Sequence, residues 1–148
     1  MRNIALASLG IATAALVFTP PANADPMYPQ MVRILTPPEM VCEIHGPNDV
    51  NRGTPSVDCQ GRFATSPMDQ AWVKDTGEFT YLNANLGLVN AHPLVLVMGQ
   101  TYHIQSWTVV QSAGSATFTS DVTGHGMTIS VDPTKGPQGQ EKADVRAF

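Results

Sequence analysis

Ala71-Trp72-Val73-Lys74-Asp75-Thr76-Gly77-Glu78-Phe79-Thr80-Tyr81-Leu82 reads as two short strands around a three-residue turn, and this stretch decides the fold class. Gly77 closes the turn, where a type I turn ends on a left-handed residue that costs glycine nothing. The register sets Lys74 against Glu78 as an exposed pair of opposite charge. It stacks Val73 on Phe79 and Ala71 on Tyr81 on the other face. A hairpin with one apolar side and one wet side needs a second layer to cover it.

On the N-terminal side, residues 40–44 (MVCEI) and 56–60 (SVDCQ) read as another strand pair, separated by pure turn chemistry at 46–55 (GPNDVNRGTP). Cys42 and Cys59 are the only cysteines, and a disulfide between them staples that hairpin. Closing such a loop stabilises a fold by about 3 kcal/mol. A metal centre on Cys42 would want three or four closely spaced ligands, and only His45 is near. On the C-terminal side, 83–92 is Asn-rich and turn-like, and 94–98 (LVLVM) has the apolarity of a central strand. Short strands follow at 102–106, 107–111, 116–120 and 127–131. The expected fold is all-β, a small antiparallel sandwich or barrel of short hairpins with one disulfide.

Residues 1–24 have the layout of a secretory signal: Arg2, an uncharged apolar run over 4–18, Pro20-Pro21, then Ala22-Asn23-Ala24. The run is shorter than the roughly 20 residues that cross a bilayer, so no stable membrane anchor is expected. Cleavage between Ala24 and Asp25 leaves a chain secreted to the medium or cell wall. Within it, 25–33 reads as a flexible leader, 34–131 as the β domain and 132–148 as a polar, disordered tail. Without Arg2 the balance is 7 basic against 12 acidic side chains, a net charge of −5. A mildly acidic surface with no Lys/Arg cluster argues against nucleic acid and against electrostatic membrane docking.

Four segments then resemble a group of small secreted actinobacterial, mycobacterial-type proteins of unknown function. Those proteins show the pattern SPSGNI-x-C, VRC, YGQ-x-Y and GHGF. The corresponding pieces here are 34–42 (ILTPPEMVC), 57–59 (VDC), 98–102 (MGQTY) and 124–127 (GHGM), spread over 34–131. The second cysteine pair of that group falls on Val109 and Phe118. The resemblance therefore implies a cross-strand hydrophobic contact in place of a second disulfide, with Gln111 opposite Ala116 and a four-residue loop at 112–115.

The sequence carries no G-x-S-x-G, H-E-x-x-H, phosphate-cradling glycine loop or C-x-x-C, so no catalytic residue and no cofactor is assigned. His45, His92, His103 and His125 are scattered. His125, between Gly124 and Gly126 and four residues after Asp121, is the histidine to inspect first. Trp72 and Trp107 are candidates for ligand contact, as are Tyr28, Tyr81 and Tyr102, although rings in a small β domain mostly pack in the core. The reading that follows is a non-enzymatic binding module for a protein, glycan or small apolar ligand. A small secreted hydrolase using His125 and Asp121, or a β-barrel carrier with an apolar cavity, are the alternatives.

Overall fold

The computed structural model of the chain describes residues 17–18, 27–35, 39–50, 52–84, 86, 92–132 and 141–148. Strands β1 (Val17–Phe18), β8 (Gln100–Ile104), β9 (Trp107–Ser112), β10 (Ser115–Ser120), β11 (Gly126–Asp132) and β12 (Lys142–Ala147) form one sheet in that order. The second sheet runs β6 (Phe79–Leu82), β5 (Gln70–Lys74), β4 (Ser56–Gln60), β3 (Met40–His45), β2 (Gln30–Ile34), β7 (Leu94–Val95). The chain is an all-β sandwich, and the described residues contain no helix.

Alternation places one face of each sheet inward. Val32, Ile34, Cys42, Ile44, Val57, Cys59, Ala71 and Val73 meet Ile104, Trp107, Val109, Phe118, Met127 and Ile129 in a single core of fully buried side chains. Among the hydrogen bonds that tie the layers together, two involve buried side chains of β9. The Trp107 indole N–H donates to the His45 carbonyl at 3.2 Å, and the Leu35 amide donates to Oε1 of the buried Gln111 at 3.3 Å. On the far edge the isolated bridge of Phe63 to Ala143 stitches the sheets once more.

The two hairpins expected from sequence are present in register. Cys42 pairs with Cys59 and the disulfide joins them. Val73 lies opposite Phe79 and Ala71 opposite Tyr81, and the Lys74 amide donates to the Glu78 carbonyl. Gly77, at φ 86°, takes the left-handed position required of it. Val109 and Phe118 are direct partners with both side chains fully buried, so the expected apolar contact exists. Its loop is tighter than expected, because Ser112 also pairs with Ser115 and only Ala113 and Gly114 remain to turn.

Three segments differ from the sequence reading. The supposed leader at 25–33 contributes most of β2, an interior strand, because Val32 and Ile34 have core to fill, while Met31 is buried on the outer face beside Glu43. The supposed disordered tail ends in β12, paired with β11 over six residues. There Ala143 enters the core and Val145 packs against it, so two small apolar side chains suffice to anchor a polar segment. The run at 94–98 is an edge rather than a central strand: β7 holds two residues, and Leu96 alone turns fully inward. Of residues 1–24, read from sequence as a signal, only Val17 and Phe18 are described, pairing in parallel with Thr101 and Tyr102. The cleavage position between Ala24 and Asp25 lies outside the described residues.

Candidate functional site: a buried histidine among carboxylates

The outer face of the β3–β4–β5 layer is covered. Since Cys42 and Cys59 point inward, the next pair along the ladder, Glu43 and Asp58, points outward, and Trp72 follows Asp58 across the sheet. The described part of the following loop, residues 46–50 and 52–55, folds back over this face. It seals Glu43, His45, Ser56 and Asp58 beneath it, and it inserts Asp49 alongside them. Turns hold the lid in place: the Asp49 amide donates to the Gly46 carbonyl, the Val50 amide to Met27 and the Asp75 amide to Pro55.

His45 is the hub. Its Nδ1 lies 2.6 Å from Asp49 Oδ2, and its Nε2 lies 3.3 Å from Asp58 Oδ2 and 3.5 Å from Glu43 Oε2. Nε2 is aligned with neither carboxylate as a hydrogen bond, and Asp58 Oδ1 has no hydrogen-bond partner. Arg52 reaches in from the lid, its Nη2 2.8 Å from Asp58 Oδ2. Three carboxylates thus face one guanidinium and one imidazole in a nearly dry space. Burial works against a charged ring, yet the surrounding Asp58, Glu43 and Asp49 outweigh it and raise the His45 pKa from 6.5 to about 9.

A histidine whose pKa is raised on folding stabilises the native state fully below its unfolded value and loses that contribution as pH climbs through the folded one. The unfolding free energy, read from urea titrations with a chelator present, is therefore expected to fall by about 3 kcal/mol between about pH 6.5 and pH 9. A flat profile over that window would contradict a protonated His45 at neutral pH.

The residues singled out from sequence are scattered by the fold. His125 and Asp121 share no hydrogen bond or ion pair. The His125 Nδ1 sits 3.2 Å from the Phe148 carbonyl, and its ring packs so closely on Gly77 that an added Cβ would lie 3.0 Å from it. His125 thus wedges the β5–β6 turn against the β10–β11 loop, where the Thr123 hydroxyl also donates to the Asp75 carbonyl. Gly126 is needed for close approach, since a Cβ there would strike the Phe118 carbonyl. Asp121 instead accepts from the Thr108 hydroxyl at 2.5 Å, and Oδ2 is 3.9 Å from His103 Nδ1, all on an exposed surface. Trp107 is fully buried and structural. Trp72 is half-buried, with Lys74 Nζ 4.7 Å and Arg52 Cζ 5.6 Å from its ring centre, so cations already stack on it.

Comparison with protein-family models, with curated proteins and with solved structures finds no match to this chain.

Proposed function

We propose that the chain acts outside the cell, or in the cell envelope, as a non-enzymatic binding module for a protein partner, contacted through the loop end of the sandwich above His45. One observation carries this reading: the loop at 46–55 is fastened from below by buried charge, yet it holds an apolar side chain out to water. Val50 is 61 % exposed, and its amide bonds to the carbonyl of Met27, which with Tyr28 is about half exposed. The Tyr28 carbonyl in turn accepts from the Gln105 side chain. Exposed apolar groups on pinned backbone suit binding, because little ordering entropy remains to be lost on contact. Tyrosine and methionine are enriched at such surfaces.

The choice of a protein among the possible partners follows from shape and stacking. Trp107, Phe63 and Phe118 fill the space between the sheets, which favours neither a carrier cavity nor a small apolar ligand. Trp72, the ring that a glycan would stack on at this sheet face, is engaged by Lys74 and Arg52. Export is supported by the apolar stretch at 4–18 and by a formed disulfide that suits an oxidising compartment. Affinity capture from cell-envelope extract with the wild-type protein and with a Tyr28→Ala/Val50→Asp variant tests the reading. The wild type is expected to retain a discrete protein that the variant loses while its melting temperature stays unchanged. Equal retention by both, or retention by neither, would remove the loop end as the contact surface.

A further inference from the structure

We propose that Glu43, His45 and Asp58 form a binding site for a divalent transition-metal ion of the zinc type, with His45 Nε2, one oxygen of Glu43 and one of Asp58 as the protein ligands. The proposal stands independently of the partner-binding reading, because it concerns the atoms under the loop and not the surface above it.

Ligand spacing is the first argument. One donor atom from each of the three residues lies within 4.8 Å of the others. The measured separations from Nε2, 3.3 Å to Asp58 and 3.5 Å to Glu43, match the edge of a tetrahedron whose bonds are about 2.0–2.1 Å, which is roughly 3.3–3.4 Å. Three side chains therefore stand close to where an ion would hold them, and the fourth corner is left to water or another ligand.

Unsatisfied atoms are the second argument, and they are independent of spacing. The Asp58 side chain is 0 % exposed and that of His45 4 %, yet His45 Nε2 and Asp58 Oδ1 have no hydrogen-bond partner. Leaving buried polar atoms without a hydrogen bond is costly, and a cation held by His45 Nε2 and an Asp58 oxygen meets that need with ligand bonds.

The outer shell is the third. Asp49 Oδ2, 2.6 Å from Nδ1, accepts a hydrogen bond from the proton on that nitrogen and turns the Nε2 lone pair toward Glu43 and Asp58. This is the carboxylate–histidine relay that orients metal-bound imidazoles. Arg52, 2.8 Å from Asp58 Oδ2, plays the same orienting part for the carboxylate. Charge agrees with this arrangement. Three carboxylates and one guanidinium sum to −2, which a divalent ion with a neutral imidazole brings to zero. An imidazole donor disfavours Ca2+ and Mg2+, which prefer all-oxygen sets.

The test uses the folded protein stripped with a chelator and then titrated with Zn2+ or Co2+ in competition with a chromophoric chelator. Expected results are one equivalent bound, the visible absorption of a tetrahedral Co2+ complex, and no displacement by excess Mg2+ or Ca2+. Glu43→Gln and Asp58→Asn, which keep side-chain shape, are expected to weaken Zn2+ binding at least 100-fold. Asp49→Asn should weaken it about 10–100-fold as an outer-shell change. Circular dichroism establishes that each variant is folded, and any variant that is not is replaced by His45→Gln. No binding by folded wild type, or binding that survives Glu43→Gln and Asp58→Asn unchanged, would overturn the assignment. The second outcome would move the metal to the exposed His103–Asp121 pair or to another histidine.

Discussion

His45→Ala is expected to lower the unfolding free energy by about 3–5 kcal/mol, measured by urea denaturation near neutral pH with a chelator present. The substitution removes the imidazole that faces Glu43, Asp49 and Asp58 and leaves these three buried carboxylates with, among the described residues, only the Arg52–Asp58 ion pair. Arg52 is one-third exposed and touches Asp58 alone among the three, so it cannot take over the other two. The cost arises from charge left without compensation rather than from the intrinsic worth of the contacts, and for that reason it is large. A surface pair gives the contrast: Lys74 and Glu78 are 2.6 Å apart, but Glu78 is 61 % exposed, and Lys74→Ala is expected to cost less than about 1 kcal/mol. His45→Ala should also flatten the loss of stability between about pH 6.5 and pH 9, since the group responsible is gone. A loss of under 1 kcal/mol, or an unchanged pH profile, would show that His45 is not the hub of the cluster.

This centre was readable in the sequence only in part. Cys42 paired with Cys59 implies, by simple register, Glu43 opposite Asp58 and His45 opposite Ser56, all on the face away from the core. What register does not reveal is that this face is roofed. GPNDVNRGTP has the composition of a solvated turn, and its Asp49 and Arg52 look like ordinary surface charges until the loop folds back on its own strands. In the sequence His45 stands out only as a neighbour of Cys42, whose side chain points to the opposite face. His125 and Asp121, four residues apart, would meet on a helix, but a β-turn sends one to Phe148 and the other to Thr108. The hairpins were legible because their evidence is local: turn chemistry and alternation within a dozen residues. β2 and β12 were not, since each has only two inward side chains and acquires its strand character from a partner elsewhere in the chain.

Removing the Cys42–Cys59 bridge, by reductant or by a Cys42→Ala/Cys59→Ala variant, is expected to lower stability by about 3 kcal/mol, read from the shift in urea midpoint. The closed loop spans a sequence separation of 17 and contains the whole lid, so without the bridge the unfolded chain gains the freedom of that segment. Both sulfurs are buried in the core, and alanine is chosen so that no hydroxyl is left there without a partner. The bridge also has a local task. One step along the ladder it holds Glu43 directly across from Asp58, two like charges that repel in that register and that depend on His45 and Arg52 for compensation. Disulfide and charge centre therefore act on the same strand pair, the first by limiting its alternatives and the second by neutralising what the register brings together. The combined His45→Ala/Cys42→Ala/Cys59→Ala chain loses about 6–8 kcal/mol if the effects add, which matches the entire stability of many domains. It is expected not to fold, as judged by a circular dichroism spectrum without sheet signal. A cooperative unfolding transition from this variant would mean that the outer face of the second sheet is held by its packing alone.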